Sequence, residues 1–158
     1  MRTASGWALT AFLSVFLVSC SSPRKPHEVT PFLEPLVSGK PAPNVEPEVW
    51  SNVRAFYTQR EHAPAWVDNR RPTDRAAEAI AVLNTARQHG YDPGEYGAPE
   101  LLAMSQAVET IDKESPDRLK QVAEFDVKLT AGLLAFGRDV AMGRMTSPKW
   151  KVQRNAPD

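Results

Sequence analysis

The hydrophobic residues of the chain recur at helical spacing from about residue 49 onward. In the stretch EPEVWSNVRAFYTQREH they fall one or three positions apart, at Val49, Trp50, Val53, Phe56 and Tyr57. Such steps place side chains on one face of an α-helix, which turns once in about 3.6 residues. The pattern predicts a first helix that Pro64 ends.

A second helix is predicted in TDRAAEAIAVLNTARQH. Thr73 or Asp74 can cap its first turn, because both side chains accept hydrogen bonds from free backbone amides. Gly90 is typical of a helix stop. The apolar stripe of this helix consists of Ala76, Ile80, Leu83 and Ala86. The preceding segment WVDNRRP carries turn-forming residues and is predicted to be a loop.

A third, short helix is predicted to begin at Pro99, after a pair of turns in GYDPGEYG. Its buried residues are predicted to be Leu101, Leu102 and Val108. Asp92 and Glu95 lie in the turns before it, where carboxylates commonly bond to nearby backbone amides. We therefore expect these two residues to form the turn rather than an acid and base pair.

The last predicted helix is the longest and runs from the cap residue Ser115 to Gly143. Its stripe steps by three and four residues through Leu119, Val122, Asp126, Leu129, Leu133, Phe136 and Val140. Asp126 is the one charged residue on this otherwise apolar stripe. A buried carboxylate is energetically costly unless it has hydrogen-bond or charge partners. We expect Asp126 to have a structural role, paired with an arginine or capping a neighbouring helix, rather than a catalytic one.

The pattern as a whole predicts an all-α fold. A small helical domain of about four helices is expected over residues 49–152, and no strand is predicted. Residues 153–158 are expected to be a truncated or flexible tail.

The chain before this domain divides into two parts. Arg2 precedes an apolar run over residues 7–18, which is shorter than the roughly twenty residues a membrane-spanning helix needs. Residues 1–19 are therefore predicted to be a signal peptide. Residues 20–48 are rich in proline and are predicted to be a disordered tether, which would reach on the order of 85 Å if extended. A proline-rich recognition ligand is the alternative.

Composition and charge exclude several classes of function. Basic and acidic residues both number 19, so the chain lacks the positive field that nucleic-acid binding requires. The single cysteine, Cys20, can form neither an internal disulfide nor a zinc site by itself. The histidines, His27, His62 and His89, show no metal-ligand spacing, and a structural role is expected for each. We expect no metal, no cofactor and no nucleic-acid partner.

The residues around the cysteine resemble the lipobox of bacterial lipoproteins. They are Leu17, Val18, Ser19 and Cys20. The resemblance implies that Cys20 becomes the new N-terminus and carries the lipid, whose two or three acyl chains suffice for stable anchoring. Ser21 stands where an aspartate would signal inner-membrane retention, which implies the periplasmic side of the outer membrane. An ordinary signal peptide that happens to end near a cysteine is the alternative.

Four stretches, in this order, resemble the N-terminal helical scaffold region of the large periplasmic L,D-transpeptidases, which crosslink peptidoglycan. They are FYTQREHAPAWVDN at 56–69, LNTARQHGYDPGEYG at 83–97, LTAGLLAFGRDVAMGRM at 129–145 and SPKW at 147–150. In that family a downstream domain with a catalytic cysteine and histidine performs the reaction, and this chain has no SHGC-like motif. We therefore expect a non-catalytic scaffold module, either the N-terminal part of an L,D-transpeptidase or a lipoprotein derived from one.

Two other functions stay open. LNTARQHGYDPG resembles the helix and turn that open the three-helix peptidoglycan-binding domain, although the later helix of that domain has no clear counterpart. A third hypothesis is an envelope lipoprotein with an unrelated protein partner. Its contact surface would then include the aromatic residues Tyr57, Trp66, Tyr91 and Tyr96. The alternative for these aromatics is packing in the core and loops.

Overall fold

The structure, a computed structural model, describes residues 27–41 and 45–143 and consists mainly of α-helices. Within these ranges the helices are α1 (Thr30–Ser38), α2 (Pro47–Gln59), α3 (Asp74–Asn84), α4 (Ala98–Thr110) and α5 (Pro116–Met142). A small antiparallel hairpin, β1 (Val67–Asp68) with β2 (Arg71–Pro72), lies between α2 and α3. The prediction of a small helical domain is confirmed, with one more helix than expected.

The central element is α5, which packs against each of the other four helices. Its start is fixed by Ser115, whose side chain accepts a hydrogen bond from the amide of Asp117, and by Pro116 in the first turn. Its last residue is Met142, and it is stopped by Gly143, which has a φ of 71°. The predicted bounds of this helix are therefore confirmed. Buried residues occur on more than one face of α5, because helices surround it.

Two predicted core residues are exposed instead. Leu102 on α4 is 49% exposed and Val140 on α5 is 43% exposed. Each follows a buried neighbour, Leu101 and Asp139 respectively, and successive helical residues point about 100° apart. At both places only one face of the helix is covered, so the next residue along the chain faces solvent.

The end of α2 differs from the prediction that Pro64 would terminate it. The helix ends at Gln59, and Glu61 and His62 adopt positive φ angles of 54° and 56°. The amide of His62 bonds back to the carbonyl of Tyr57 at 2.8 Å. The chain has therefore left the helical conformation before it reaches the proline.

The segment predicted to be a loop contains the hairpin of β1 and β2. Its two connecting residues, Asn69 and Arg70, have φ angles of 46° and 62°. Positive φ at both central residues is typical of the tightest hairpin turns, whose twist matches that of the strands. The strands are only two residues long, which is too short for an alternating pattern of polar and apolar residues to predict them.

Helix α3 begins as predicted. The hydroxyl of Thr73 accepts a hydrogen bond from the amide of Ala76 at 3.4 Å and caps the first turn. After Asn84 the helix tightens into a 3-10 turn, Thr85–His89, which Gly90 stops with a φ of 80°. A second 3-10 turn, Pro93–Tyr96, follows, and the Asp92 carboxylate accepts a hydrogen bond from the amide of Gly94. The expected turn-forming role of Asp92 is therefore confirmed.

Helix α1 corrects the predicted disordered tether, residues 20–48, at the residues Thr30–Ser38 that form this helix. Val29, Leu33 and Val37, spaced four apart, are buried in the core shared with α2 and α5. Arg54 on α2 donates to the carbonyls of Val37 and Gly39 and so holds the end of α1. The segment was not predicted to be helical because it is rich in proline. Pro31, however, lies in the first turn of α1, where a missing backbone amide costs nothing.

Several predictions fall on residues outside the described ranges. These are the signal peptide at 1–19, the lipobox with Cys20, the SPKW stretch at 147–150 and the tail at 153–158. Among the helices that the structure describes, none is long and apolar enough to cross a membrane.

Candidate functional site

The buried carboxylate of Asp126 binds the segment that follows α2. Asp126 is fully buried and accepts hydrogen bonds from the hydroxyl of Tyr57 at 2.5 Å, from the amide of Ala65 at 3.0 Å and from the amide of Trp66 at 2.7 Å. The expectation of an arginine partner or a helix cap was wrong. The partners are instead a tyrosine and two loop amides, which lose water on folding and require an acceptor.

Thr130, one turn further along α5, extends this polar cluster. Its hydroxyl bonds to the hydroxyl of Tyr57 at 2.9 Å and accepts a hydrogen bond from the indole N–H of Trp66 at 2.8 Å. The Thr130 hydroxyl has a single proton, which it can donate either to the Tyr57 oxygen or to the backbone carbonyl of Asp126. Each polar group in the cluster therefore has a partner inside the protein, which is the arrangement that makes a buried network stabilising.

The pKa values in this cluster are shifted by burial. Burial raises the pKa of Asp126 above its ordinary value, while the hydrogen bonds from Tyr57 and from the backbone amides of Ala65, Trp66 and Val67 act in the opposite direction. Burial also raises the pKa of Tyr57 well above its ordinary value, and the nearby Asp126 charge adds to this effect. The tyrosine therefore keeps its proton and donates it. These groups connect α2, its following loop and α5.

The histidines lie on separate elements. The His27 ring accepts a hydrogen bond from the amide of Val29, and its Nε2 lies 3.8 Å from the Asp68 carboxylate. His89 packs edge-on against Phe136, with ring centroids 5.7 Å apart. Within residues 27–41 and 45–143, no group of three or more histidine, cysteine, aspartate or glutamate side chains is arranged to hold a metal ion.

A cavity of about 360 Å³ opens between the starts of α2 and α4, the turn at 94–97 and the C-terminal half of α5. Its apolar wall includes Val49, Trp50, Leu101, Val127 and Ala131, and its charged lining consists of Glu46, Glu95, Glu100, Lys128, Arg138 and Asp139. The volume lies at the lower end of the roughly 300–1,000 Å³ that small-molecule pockets occupy. An apolar wall with charged groups around it suits a small polar ligand.

Ion pairs connect the helices on either side of the cavity. The guanidinium of Arg138 binds Glu46, the residue before α2, and also Asp139 at 2.7 Å. These carboxylates, Glu46 first, raise the pKa of Arg138. Lys128 binds Glu100 in the first turn of α4 at 2.7 Å. The beginnings of α2 and α4 are thus both attached to α5.

The turn beside the cavity is attached to the same part of α5. The hydroxyl of Tyr96 donates to the carboxylate of Asp139 at 2.9 Å, and the hydroxyl of Tyr91 donates to the backbone carbonyl of the same residue. Tyr96 and Tyr57 are buried, while Tyr91 and Trp66 are partly buried and pack against the core. The packing interpretation of these aromatics is therefore confirmed, and an exposed contact surface made of them is wrong.

Among the residues that the structure describes around the cavity, Trp50 has a buried side-chain nitrogen without a hydrogen-bond partner. It is 4% exposed, and its indole N–H has no hydrogen-bond partner in the part of the chain that the structure describes. A buried donor without an acceptor costs on the order of 1–3 kcal/mol. An acceptor supplied by a ligand would recover this cost. The apolar pattern marked Trp50 only as a core residue, because the cavity joins segments that are distant in the sequence.

Comparison with known families identifies a domain in this chain. A family model described as Scaffold domain matches residues 51–158, which is more than half of the chain. No curated protein and no solved structure matches. The matched range begins inside α2 and includes both the Asp126 cluster and most of the cavity lining.

Proposed function

Because the chain belongs to the Scaffold domain family, we propose that it is the lipid-anchored, non-catalytic scaffold part of a peptidoglycan-crosslinking L,D-transpeptidase. The match over residues 51–158 is the observation that carries the proposal, since the same region contains the four stretches that resemble the scaffold of those enzymes. Cys20 is the proposed lipid attachment site, and the periplasmic side of the outer membrane is the proposed location.

The contacts among these stretches support a scaffold role. Tyr57 and Trp66, from the first stretch, bond to Thr130 in the third. Tyr91 and Tyr96, from the second stretch, bond to Asp139, which also lies in the third. The polar side chains that characterise the stretches therefore join helices and turns to one another. They maintain the fold, which is what a scaffold requires of them.

The proposal is tested by replacing the chromosomal gene with its Cys20→Ala version and measuring peptidoglycan crosslinks by mass spectrometry of digested cell walls. We expect fewer L,D crosslinks than in the parent strain, because an unanchored scaffold would no longer hold the crosslinking reaction at the membrane. An unchanged crosslink pattern would count against the proposal.

Two measurements separate its parts. A fatty-acid analogue should label the wild-type chain but not Cys20→Ala, and equal labelling of both would reject the lipid anchor alone. The purified chain, incubated with donor and acceptor stem peptides, should form no crosslinked product. Detectable product would reject the non-catalytic role.

Peptidoglycan binding is a second candidate, and the cavity with the unsatisfied Trp50 favours it. Trp50→Phe removes the N–H but keeps an aromatic ring. We expect it to weaken co-sedimentation of the full chain with purified sacculi, whereas the exposed-residue control Val82→Ala should not. If the wild-type chain stays in the supernatant, this second candidate fails and the scaffold proposal is unaffected.

A further inference from the structure

The length of α5 separates two ends of the described domain. This helix has 27 residues and, at about 1.5 Å per residue, is about 40 Å long. The residues that contact each end of α5 show where the chain enters the domain and where it leaves.

The chain enters at the N-terminal end of α5. Arg70 binds the carboxylate of Glu28 at 2.7 Å, and it also binds the carboxylate of Glu114 and the carbonyl of Lys113, which lie two and three residues before α5. Arg118, in the first turn of α5, donates to the carbonyl of Arg70 at 2.8 Å. Glu28, near the beginning of the described chain, is therefore held beside the start of α5.

The chain leaves at the opposite end. Helix α5 finishes at Met142, and the residues that contact its last turns are Glu46, bound by Arg138, and Tyr91, which binds the carbonyl of Asp139. These residues belong to the start of α2 and the turn after α3, while the Glu28 contacts lie at the other end of α5. Entry and exit are thus separated by about the length of the helix.

Helix α1 fixes the entry point. Val29, Leu33 and Val37 are buried against the rest of the domain, so the chain is already packed into the core one residue after Glu28. Cys20 lies seven residues before His27 in the sequence. A chain of that length spans at most about 25 Å even when it is fully extended.

We propose that the domain is a fixed-length spacer. The lipid anchor holds the N-terminal end of α5 near the membrane surface, and the chain after Gly143 begins about 40 Å further out. The spacer rests on the proposed function, because it takes the anchor at Cys20 as its starting point. It adds a specific role for the scaffold, which is to hold the start of the chain beyond Gly143 about 40 Å from the end of the domain that lies nearest to the anchor.

The internal distance is measured first. Arg71, in the hairpin beside Glu28, and Met142, at the end of α5, are both exposed. In the full lipidated chain Cys20 is acylated, so cysteines from Arg71→Cys and Met142→Cys can both carry spin labels. From the helical rise we expect a single distance of about 40 Å between the two spin labels, measured by pulsed electron paramagnetic resonance. A distance of about half this value or a broad distribution would overturn the spacer without affecting the anchor.

The height above the membrane is measured next. The lipidated chain is incorporated into vesicles of phosphatidylethanolamine and phosphatidylglycerol with an acceptor dye on the headgroups. A donor dye is attached to either Arg71→Cys or Met142→Cys. Energy transfer should be several-fold stronger from position 71 than from position 142. Equal transfer would mean that the domain lies along the surface, and this result would overturn the proposal.

Flotation of the vesicles tests the anchor separately. The wild-type chain should float with the vesicles and Cys20→Ala should not. If the wild-type chain does not float, the lipid anchor is wrong and the height proposal is overturned with it. The internal distance between positions 71 and 142 still decides whether the domain has spacer geometry, so the two failures are distinguishable.

Discussion

The backbone carbonyl of Tyr96 approaches α5 at Gly132 so closely that a Cβ atom at position 132 would lie 2.4 Å from its oxygen. The side chain of Leu83 lies 3.3 Å from the same point. Glycine weakens a helix by about 1 kcal/mol relative to alanine, so its place in the middle of α5 needs a compensating contact. That contact is the turn Pro93–Tyr96, which rests directly on the helix and forms one side of the cavity.

Gly132→Ala should therefore destabilise the protein. The new methyl group would push the backbone of the turn away from α5, and overpacking of this kind typically costs about 1–3 kcal/mol. The free energy of unfolding, measured by urea denaturation, should fall by that amount.

Gly137 provides the matched control on the same helix. A Cβ atom there would meet nothing within 4 Å. Gly137→Ala should raise the free energy of unfolding by up to about 1 kcal/mol through helix propensity alone. Similar changes in both variants would show that the turn does not rest on Gly132.

Asp126→Asn should destabilise the fold more than a charge change on the surface does. The amide nitrogen of asparagine cannot accept the hydrogen bonds from Tyr57, Ala65 and Trp66, so at least one buried donor loses its partner. The expected loss in the free energy of unfolding is about 1–3 kcal/mol. Glu124→Gln, at an exposed position of the same helix, is the control and should change it little. Equal effects of the two changes would contradict the role of Asp126.

The parts of the fold that could be predicted are those with local signals. The bounds of α5 follow from Ser115 and Gly143, and the start of α3 follows from Thr73, because a cap acts on amides only two or three residues away. The partners of Asp126 could not be predicted in the same way. They come from α2 and the loop that follows it, about sixty to seventy positions earlier, and are brought there only by the packing of α2 on α5.

The cavity could not be predicted from the sequence for the same reason. The sequence pattern gives the residues around it unrelated roles. Trp50 is predicted to be a core residue, Gly132 is a glycine within a helix, and Arg138 is a surface charge. Only the antiparallel packing of α2 on α5 brings them to one place. The pattern of a single segment carries no information about a space that several segments enclose.

The stability of the protein should depend on pH through Asp126. Burial raises its folded-state pKa above the ordinary value of 3.8, so the folded protein holds the proton more tightly than the unfolded chain does. The resulting stabilisation is fully present below the unfolded-state pKa and is lost as the pH rises through the folded-state pKa. Asp126→Asn lacks this titration but keeps every other titratable group.

The comparison of the two proteins therefore isolates this one group. Lowering the pH from about 7 to about 4 should increase the melting temperature of the wild type relative to Asp126→Asn, since the carboxyl gains its proton in the folded state first. Melting followed by circular dichroism at both pH values checks the difference. A wild-type advantage that shrinks on acidification would mean that hydrogen bonding, rather than burial, controls this carboxyl group.

Leu33→Ala tests whether α1 belongs to the folded domain. Leu33 is fully buried among residues of the core, and truncation of a buried leucine typically lowers the free energy of unfolding by about 2–5 kcal/mol. Glu34→Ala changes the adjacent exposed residue of the same helix and should have little effect. Urea denaturation of the full chain distinguishes the two expectations.

If residues 30–38 were a disordered tether, neither change would alter stability, because an unfolded segment has no packed side chains to lose. A large loss for Leu33→Ala alone means that α1 is part of the folded domain, which begins no more than ten residues after the proposed anchor at Cys20 and so cannot move far from it.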